Sequence, residues 1–388
     1  MPRAAPPLID RLPEQYFARI VAASAAAAAR PGERLIDLGR GNPDLPPPPH
    51  AIEAVRAAAL ETATPLVHGY PPFAGHAALR EAIAQRYELD HGVVLDPERE
   101  VAVIPGTKTG IMLIAAAAAA PGDTVLLPDP GYPDYPSGVA LAGARAGVLP
   151  LDPTAGFQPD WDAAEAPSPV ALAVLNYPSN PCAVCERDGT FEAAVAWAHE
   201  HGAWLMHDLA YGFLAFDGHR ARSVLEADGA REVAVELWSP SKIYGMAGWR
   251  VGFAVGNAEL VGRIQTLLDH VFVGVWTGLQ RGLVAALESD QSDVAERAAI
   301  YRTRRDRLIG ALRAAGAEIA VPEGTFYAWW KLPDGLTPER LIDEARVAVA
   351  PGEGFGARGA GWARLSLALP DADVDEAAAR VTRLLAYL

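Results

Sequence analysis

Only three of the 33 basic residues are lysines; the other 30 are arginines. A chain that writes arginine wherever a surface needs positive charge raises the question of what its few amines do that a guanidinium cannot. Nucleophilic attack on a carbonyl is one answer. Lys331, inside Trp329-Trp330-Lys331-Leu332-Pro333, reads as compositional drift. Lys108 and Lys242 have polar company. The first lies in Pro105-Gly106-Thr107-Lys108-Thr109-Gly110, a Gly/Thr loop ahead of an apolar run, which suits an anion at a helix start. The second lies in Ser239-Pro240-Ser241-Lys242, with Arg250 eight residues further on in Gly248-Trp249-Arg250-Val251-Gly252. Three more segments carry chemistry-bearing side chains: Pro128-Asp129-Pro130-Gly131-Tyr132-Pro133, Asn176-Tyr177-Pro178-Ser179-Asn180-Pro181 and His207-Asp208-Leu209-Ala210-Tyr211. Each has an ordinary reading of its own, as a helix cap, a core tyrosine or a simple turn.

The elements around these segments give them a common place. Val101 to Ile104, Thr124 to Leu127, Val170 to Leu175, Ala203 to Met206, Glu232 to Trp238 and Val251 to Val255 are short apolar runs of the kind that buried strands show. Between two of them, Phe191, Ala194, Val195 and Ala198 recur at the spacing of an amphipathic helix. The alternation predicts an α/β domain around a mostly parallel sheet flanked by helices. Open parallel sheets bind ligands beyond the carboxyl ends of their strands, and the polar segments follow the runs. Together they put an amine, a carboxylate, phenol and amide donors, a flat aromatic ring and a phosphate cradle at one edge of one sheet. Those are the needs of pyridoxal 5′-phosphate. Leu79, Ala82, Ile83 and Tyr87 mark a helix ahead of the sheet. An Arg-rich helical segment from about Val294 to Ala315 leads through Gly324-Thr325-Phe326-Tyr327 into a final α/β stretch, which predicts a second, smaller domain. The division expected is 1–45 as an N-terminal arm and part of the small domain, 46–285 as the large domain and 286–388 as the small C-terminal domain. The alanine runs Ala25 to Ala29 and Ala115 to Ala120 read as helix.

Composition narrows the classes. Asp and Glu number 48 against 33 Lys and Arg, a formal charge of −15 over 388 residues, which repels phosphate backbones and argues against a nucleic-acid partner. A 51% hydrophobic content with two cysteines excludes a disordered tail and a disulfide scaffold. The longest apolar stretch, Ile111 to Ala120, is about half the roughly 20 residues a membrane span needs. Residues 1–12 lack the apolar core of a secretory signal. The expectation is a cytoplasmic protein with no membrane partner.

Over nearly its full length the chain resembles the fold-type I, class I/II pyridoxal-phosphate-dependent aminotransferases. Ser239-Pro240-Ser241-Lys242 followed by Gly248-Trp249-Arg250 resembles that family's lysine signature, with the family's lysine-to-arginine spacing. Leu38-Gly39-Arg40-Gly41-Asn42-Pro43, Asn180-Pro181, His207-Asp208-Leu209-Ala210-Tyr211 and Trp362-Ala363-Arg364-Leu365-Ser366 match in order. Gly131-Tyr132-Pro133-Asp134-Tyr135 and Val235-Glu236-Leu237 are most similar to the branch containing LL-diaminopimelate and alanine aminotransferases.

The resemblance implies roles that physical chemistry makes sensible. Lys242 forms the Schiff base with the cofactor and carries the proton during transfer. Asp208 pairs with the pyridine nitrogen and keeps it protonated. Tyr211 and Asn180 donate to the ring phenolate, and Tyr132 stacks on the ring. Gly106, Thr107, Ser239, Ser241 and Arg250 surround the phosphate, while Lys108 either touches it or faces solvent. Arg364 grips the substrate α-carboxylate bidentately, helped by Asn180 and by the main chain at Gly41. Tyr70, in His68-Gly69-Tyr70-Pro71, resembles the tyrosine that reaches the phosphate of the neighbouring subunit, which implies a homodimer with shared sites. The expected activity is ping-pong transfer of an amino group from an L-amino acid to a 2-oxo acid. A pyridoxal-phosphate C–S β-lyase is the alternative, and a non-catalytic cofactor-binding regulatory module fits less well.

Some residues depart from the family pattern. Cys182 and Cys185 make a C-x-x-C where the family writes Thr-Gly after Asn-Pro. With no second cysteine pair for zinc, it reads as an altered loop, and no metal is expected. Gln15 stands near where diaminopimelate enzymes carry a tyrosine, Gly278 stands where Asn is usual, and Val271 to Gln280 contains no arginine for a distal carboxylate. Trp276 and Thr277 either shape a side-chain pocket or pack in the core. His207 is expected to be a buried histidine above the cofactor.

Overall fold

A computed structural model describes residues 7–167 and 169–388; the first six residues of the expected N-terminal arm lie outside the described residues. The central sheet has eight strands: Val101–Ile104 (β1), Thr124–Asp129 (β2), Arg145–Asp152 (β3), Gln158–Pro159 (β4), Val170–Leu175 (β5), Trp204–Asp208 (β6), Ala234–Trp238 (β7) and Gly252–Gly256 (β8). Their spatial order is β1-β8-β7-β6-β5-β2-β3-β4. The run β3-β2-β5-β6-β7 is parallel, and β8 runs antiparallel to both β7 and β1. Strands covered on both faces need apolar side chains on both, and the edge strand β1 and its neighbours β8 and β7 are buried at every residue. Helix Thr190–His201 buries Phe191, Ala194, Val195 and Ala198 and stops at Gly202, which takes the left-handed conformation that glycine adopts cheaply.

Several boundaries differ from the sequence reading. β6 runs on to Asp208, so His207 and Asp208 are its last two residues rather than the loop beyond it, and β2 continues through Pro128 and Asp129. The expected run from Glu232 starts as a helical turn, Ala230–Val233, and becomes a strand at Ala234. β3 and β4 were absent from the sequence reading. Gly147 and Pro150 interrupt the apolar pattern of β3, and its first two residues are exposed.

A second core gathers Tyr301, Leu308, Leu312, Trp330, Leu365 and Val381 with Ile36 and Leu38 from near the N-terminus. Its sheet places Trp362–Ser366 between Tyr327–Lys331 and Ala350–Pro351, all antiparallel, while Ile36–Asp37 pairs in parallel with Val347–Ala348. The Arg-rich helix, Ser292–Ala314, buries Arg297, Arg304 and Arg305. Arg297 donates to the carbonyls of Leu45 (3.2 Å) and Pro46 (2.6 Å), and Arg304 pairs with Asp44 and Asp371, both at 2.8 Å. A buried guanidinium persists only where its fork is filled. These bonds fix the chain just after Gly39 to Asn42, which enters the site. No described helix is long and apolar enough to cross a membrane.

Candidate active site

Strand β2 has β3 on one side and β5 on the other, so chain order reverses there and leaves a crevice beyond the carboxyl ends of both strands. A cavity of about 250 Å³ opens at this end of the sheet. Its wall holds Lys242, Asp208, Tyr211, Asn180, Tyr132 and Thr107, with Lys108, Gly41 and Arg364 completing it. Segments spread over some three hundred residues thus meet in one place.

Lys242 sits in the helical turn Pro240–Ile243 directly after β7, and Ser239 caps that turn by accepting from the Ser241 amide. The Lys242 amine donates to the Gly41 carbonyl at 3.1 Å and lies 5.6 Å from the Phe326 ring. Burial, and then the charges of Arg364 and Arg250, bring its pKa down to about 8, with Asp208 pulling the other way.

Asp208 ends β6. Its Oδ2 accepts from the Tyr135 hydroxyl at 2.9 Å, and its Oδ1 is buried with no partner among the described residues. Burial raises its pKa above the usual carboxylate value, opposed by the Tyr135 hydrogen bond and by the charges of His207 and Lys242. Asn176 donates to the Asp208 carbonyl and accepts from the Asn180 amide, both at 2.7 Å, so the ends of β5 and β6 are tied together.

Arg364 is fully buried in the middle of its strand. One terminal nitrogen donates to Asn180 Oδ1 at 2.9 Å and the other to the Gly39 carbonyl at 3.1 Å, while Nε is buried without a partner. The guanidinium lies 4.0 Å from the Tyr327 ring centre and 4.8 Å from that of Phe355. Aromatic faces hold the cation without neutralising it, which keeps its charge available to a carboxylate. The oxygen of Asn180 is taken by Arg364, so its amide N–H groups are the donors left for a ligand.

Of the residues that the resemblance sets around a phosphate, Thr107 lines the cavity while Gly106, Ser239, Ser241 and Arg250 are not among its lining residues. Gly106 precedes helix Thr107–Ala118 at φ +85°, and a Cβ there would come 2.5 Å from an Arg250 guanidinium nitrogen. The close approach of Arg250 to the start of a helix therefore requires glycine. Ser239 and Ser241 share a hydroxyl–hydroxyl bond of 2.8 Å. Gly41 is equally constrained, since a Cβ would lie 1.8 Å from the Tyr327 hydroxyl oxygen.

The other residues that the sequence singled out have these surroundings. Lys108 pairs at 2.9 Å with Asp134, which also accepts from Gln15 at 2.5 Å; Gln15 in turn caps helix Tyr16–Ala28. Tyr70 is 86% exposed and does not line the cavity. Thr277 bonds His76 at 2.9 Å, and the Trp276 ring covers Gly278, where a Cβ would come within 2.3 Å. His207 is buried but is not in the cavity wall, because its ring turns to Glu236. Cys182 and Cys185 are buried thiols, both held by burial well above the ordinary thiol range. Cys185, His219 and Glu323 bring one ligand atom each within 4.8 Å of one another, but both oxygens of Glu323 already accept from Arg187 at 2.7 Å.

The sequence reading missed Phe17, Ile20 and Val21, which line the cavity from helix Tyr16–Ala28, as well as Tyr327 and Tyr135. Tyr135 carried a signal, closing the same Gly131-Tyr132-Pro133-Asp134-Tyr135 segment that holds Tyr132. The helix Tyr16–Ala28 carried none, because its place over Arg364 is a matter of tertiary packing.

The family model "Aminotransferase class I and II" matches residues 33–381. The chain is 42% identical to the L-glutamine–4-(methylsulfanyl)-2-oxobutanoate aminotransferase of Bacillus subtilis (strain 168), covering 97% of this chain and 95% of that one. It is 41% identical to the LL-diaminopimelate aminotransferase of Desulforudis audaxviator, covering 96% of each chain. The structure of substrate-bound BacF from Bacillus subtilis superposes with a TM-score of 0.92 at 37% identity, covering 98% of both chains. The buried lysine, the orphaned carboxylate oxygen and the ring-held arginine thus stand on a chain that belongs to the class I and II aminotransferases, a family that depends on pyridoxal phosphate.

Proposed function

We propose that this aminotransferase holds pyridoxal 5′-phosphate in the cavity at the β2/β5 crevice and passes an amino group from an L-amino acid with an uncharged side chain to a 2-oxo acid. The observation that carries the reading is the pair of buried, unpartnered polar atoms in one cavity wall: Asp208 Oδ1 suits a protonated ring nitrogen, and Arg364 Nε suits a carboxylate. When bound, the cofactor supplies an aldehyde that takes up and returns amino groups and a ring that withdraws electrons from the reacting carbon. Asp208 holds the proton on the ring nitrogen. The Lys242 amine makes the covalent attachment and moves a proton at the substrate Cα. Tyr211 and Asn180 would supply hydrogen-bond donors to the ring phenolate, and Tyr132 would supply an aromatic surface for the ring. Gly106, Thr107, Ser239, Ser241 and Arg250 bind the phosphate. Lys108 acts at one remove, through Asp134. Arg364, with Asn180 and Gly41 beside it, orients the substrate carboxylate.

Side-chain preference follows from the wall. Phe17, Ile20, Val21 and Ile111 are apolar, Lys108 is already neutralised by Asp134, and Arg40 is exposed at the mouth. The relative named for glutamine and 4-(methylsulfanyl)-2-oxobutanoate acts on uncharged side chains, which supports the same choice. Single amino acids added to the holoenzyme test it. Methionine or glutamine is expected to discharge the bound cofactor's visible band stoichiometrically with one equivalent of 2-oxo acid, and aspartate to do so far more slowly. Catalytic release of pyruvate and ammonia from cystathionine, with the band retained, would instead assign a C–S β-lyase.

The reading includes a homodimer. Leu66, Tyr70 and Phe73 are exposed, and so are Val271, Phe272 and Val273; Gln265 and Trp276 donate to the carbonyls of Phe73 and Val67, tying the two segments side by side. A contiguous apolar surface of this kind is what an interface covers, and it would carry Tyr70 to the phosphate of the partner. Sedimentation at assay concentration is expected to give a dimer; a fully active monomer would rule out the shared site.

A further inference from the structure

One fully buried titratable pair has no part in that mechanism. His207, next to last in β6, and Glu236, in the middle of β7, are both 0% exposed and meet with Nδ1 2.6 Å from Oε2. Four donors converge on the Glu236 carboxylate. His207 Nδ1 and the Val224 amide (3.0 Å) reach Oε2, while the hydroxyls of Tyr87 (2.7 Å) and Ser223 (2.9 Å) reach Oε1. That set saturates an ionised carboxylate. Across the ring, Nε2 faces the Tyr177 carbonyl at 2.9 Å, nearer than the Tyr177 amide at 3.3 Å. The Tyr177 amide can donate only to a bare Nε2 and the carbonyl can accept only from a protonated one; the carbonyl is the nearer by 0.4 Å, which with Glu236 at Nδ1 favours the imidazolium.

The surroundings agree. Burial opposes the charge on His207, but the hydrogen bond and charge of Glu236, with a contribution from Glu186, raise its pKa above the ordinary value. Burial opposes the charge on Glu236 too, yet His207 and, more distantly, His91 from helix Ala77–His91 keep it ionised below its ordinary range. Tyr87 and Tyr177 are held far above theirs by burial and stay neutral. Asp208 follows in the chain on the opposite face of β6, where the His207 charge favours its carboxylate form.

The partners of this cation are placed to matter. Tyr177 lies three residues before Asn180, Glu236 lies three before Ser239 and six before Lys242, and Asp208 comes directly after His207. We propose that His207 is a positioning residue for amino transfer: a buried imidazolium that clamps the segment after β5 and the middle of β7 to the end of β6, elements that carry or lead into residues of the reacting site, and that sets a positive charge behind Asp208. The inference rests on the reading of Asp208 as the partner of the ring nitrogen.

The test combines ¹⁵N-histidine NMR of the holoenzyme with His207→Gln and Glu236→Gln variants. The parent is expected to show one histidine that stays protonated at both ring nitrogens above neutral pH, where ordinary imidazoles have lost their charge, and His207→Gln is expected to remove it. That variant should keep the cofactor attached, lose about tenfold in kcat with KM for the donor little changed, and shift the pH at which the bound cofactor's visible band changes. Glu236→Gln should move kcat and the band in the same direction. A singly protonated ring at neutral pH in the parent overturns the proposal, and so does a His207→Gln enzyme with parental kcat and band profile. Should His207→Gln not fold, the parent spectrum and Glu236→Gln decide. Absence of cofactor from Lys242 would sink the active-site reading instead, and would leave the imidazolium result standing.

Discussion

Replacing Lys242 with alanine is expected to lower kcat by about 10⁴-fold, the upper range for losing a positioned acid–base group, and to abolish the borohydride-reducible link between protein and cofactor. Lys242→Arg should be just as inactive, although it keeps the positive charge, because a guanidinium does not deprotonate near neutrality. The pair separates nucleophile and proton carrier from mere counter-charge; turnover by the arginine variant would show that charge alone suffices. The same residue sets a pH dependence. Burial beside Arg364 and Arg250 brings its amine to about 8, and only the neutral amine attacks an aldehyde. The rate of cofactor uptake by the apoenzyme should therefore rise with pH and level off just above 8. An unperturbed lysine would keep gaining until about 10.4. Stopped-flow absorbance across that range measures the plateau directly.

The second large effect is expected at Asp208. Asp208→Asn keeps the shape and can still bond Tyr135, but it removes the negative charge at the unpartnered buried oxygen. Loss of one preorganised electrostatic partner costs about 10²–10³ in kcat. The cofactor should remain attached to Lys242, so the variant is expected to be coloured, folded and slow. The sign with pH follows from the site. The carboxylate is raised by burial and held down by the Tyr135 hydroxyl and the charges of His207 and Lys242, so kcat in the parent should fall on the acid side as Asp208 takes up a proton. In Asp208→Asn that acid limb should be missing. A variant that keeps both the rate and the limb would place the ring nitrogen elsewhere.

The rarity of lysine, the Ser-Pro-Ser-Lys segment with its arginine eight residues on, and the alternation of apolar runs with helical patterns were all legible in the sequence. They are local chemistry and local periodicity, and both survive in one dimension. β3 was not legible, because Gly147 and Pro150 break its pattern and partners on either side restore it. Lys108, read from the sequence as a loop residue, stands in the first turn of helix Thr107–Ala118, and its pairing with Asp134 was not legible, since 26 positions separate them in the chain and 2.9 Å in space.

By itself, then, the sequence carried the resemblance to the aminotransferases: one amine, one carboxylate and one arginine, set in segments that match the family in order. Tertiary structure alone decided what tunes them. It turned His207 away from the cavity onto Glu236, set the Tyr327 ring 4.0 Å from Arg364, and brought Phe17, Ile20 and Val21 of helix Tyr16–Ala28 into the cavity lining. The physical reason is range. A side chain's chemistry belongs to the residue, whereas its charge state and its choice of substrate depend on burial and on partners that only folding brings within a few ångströms.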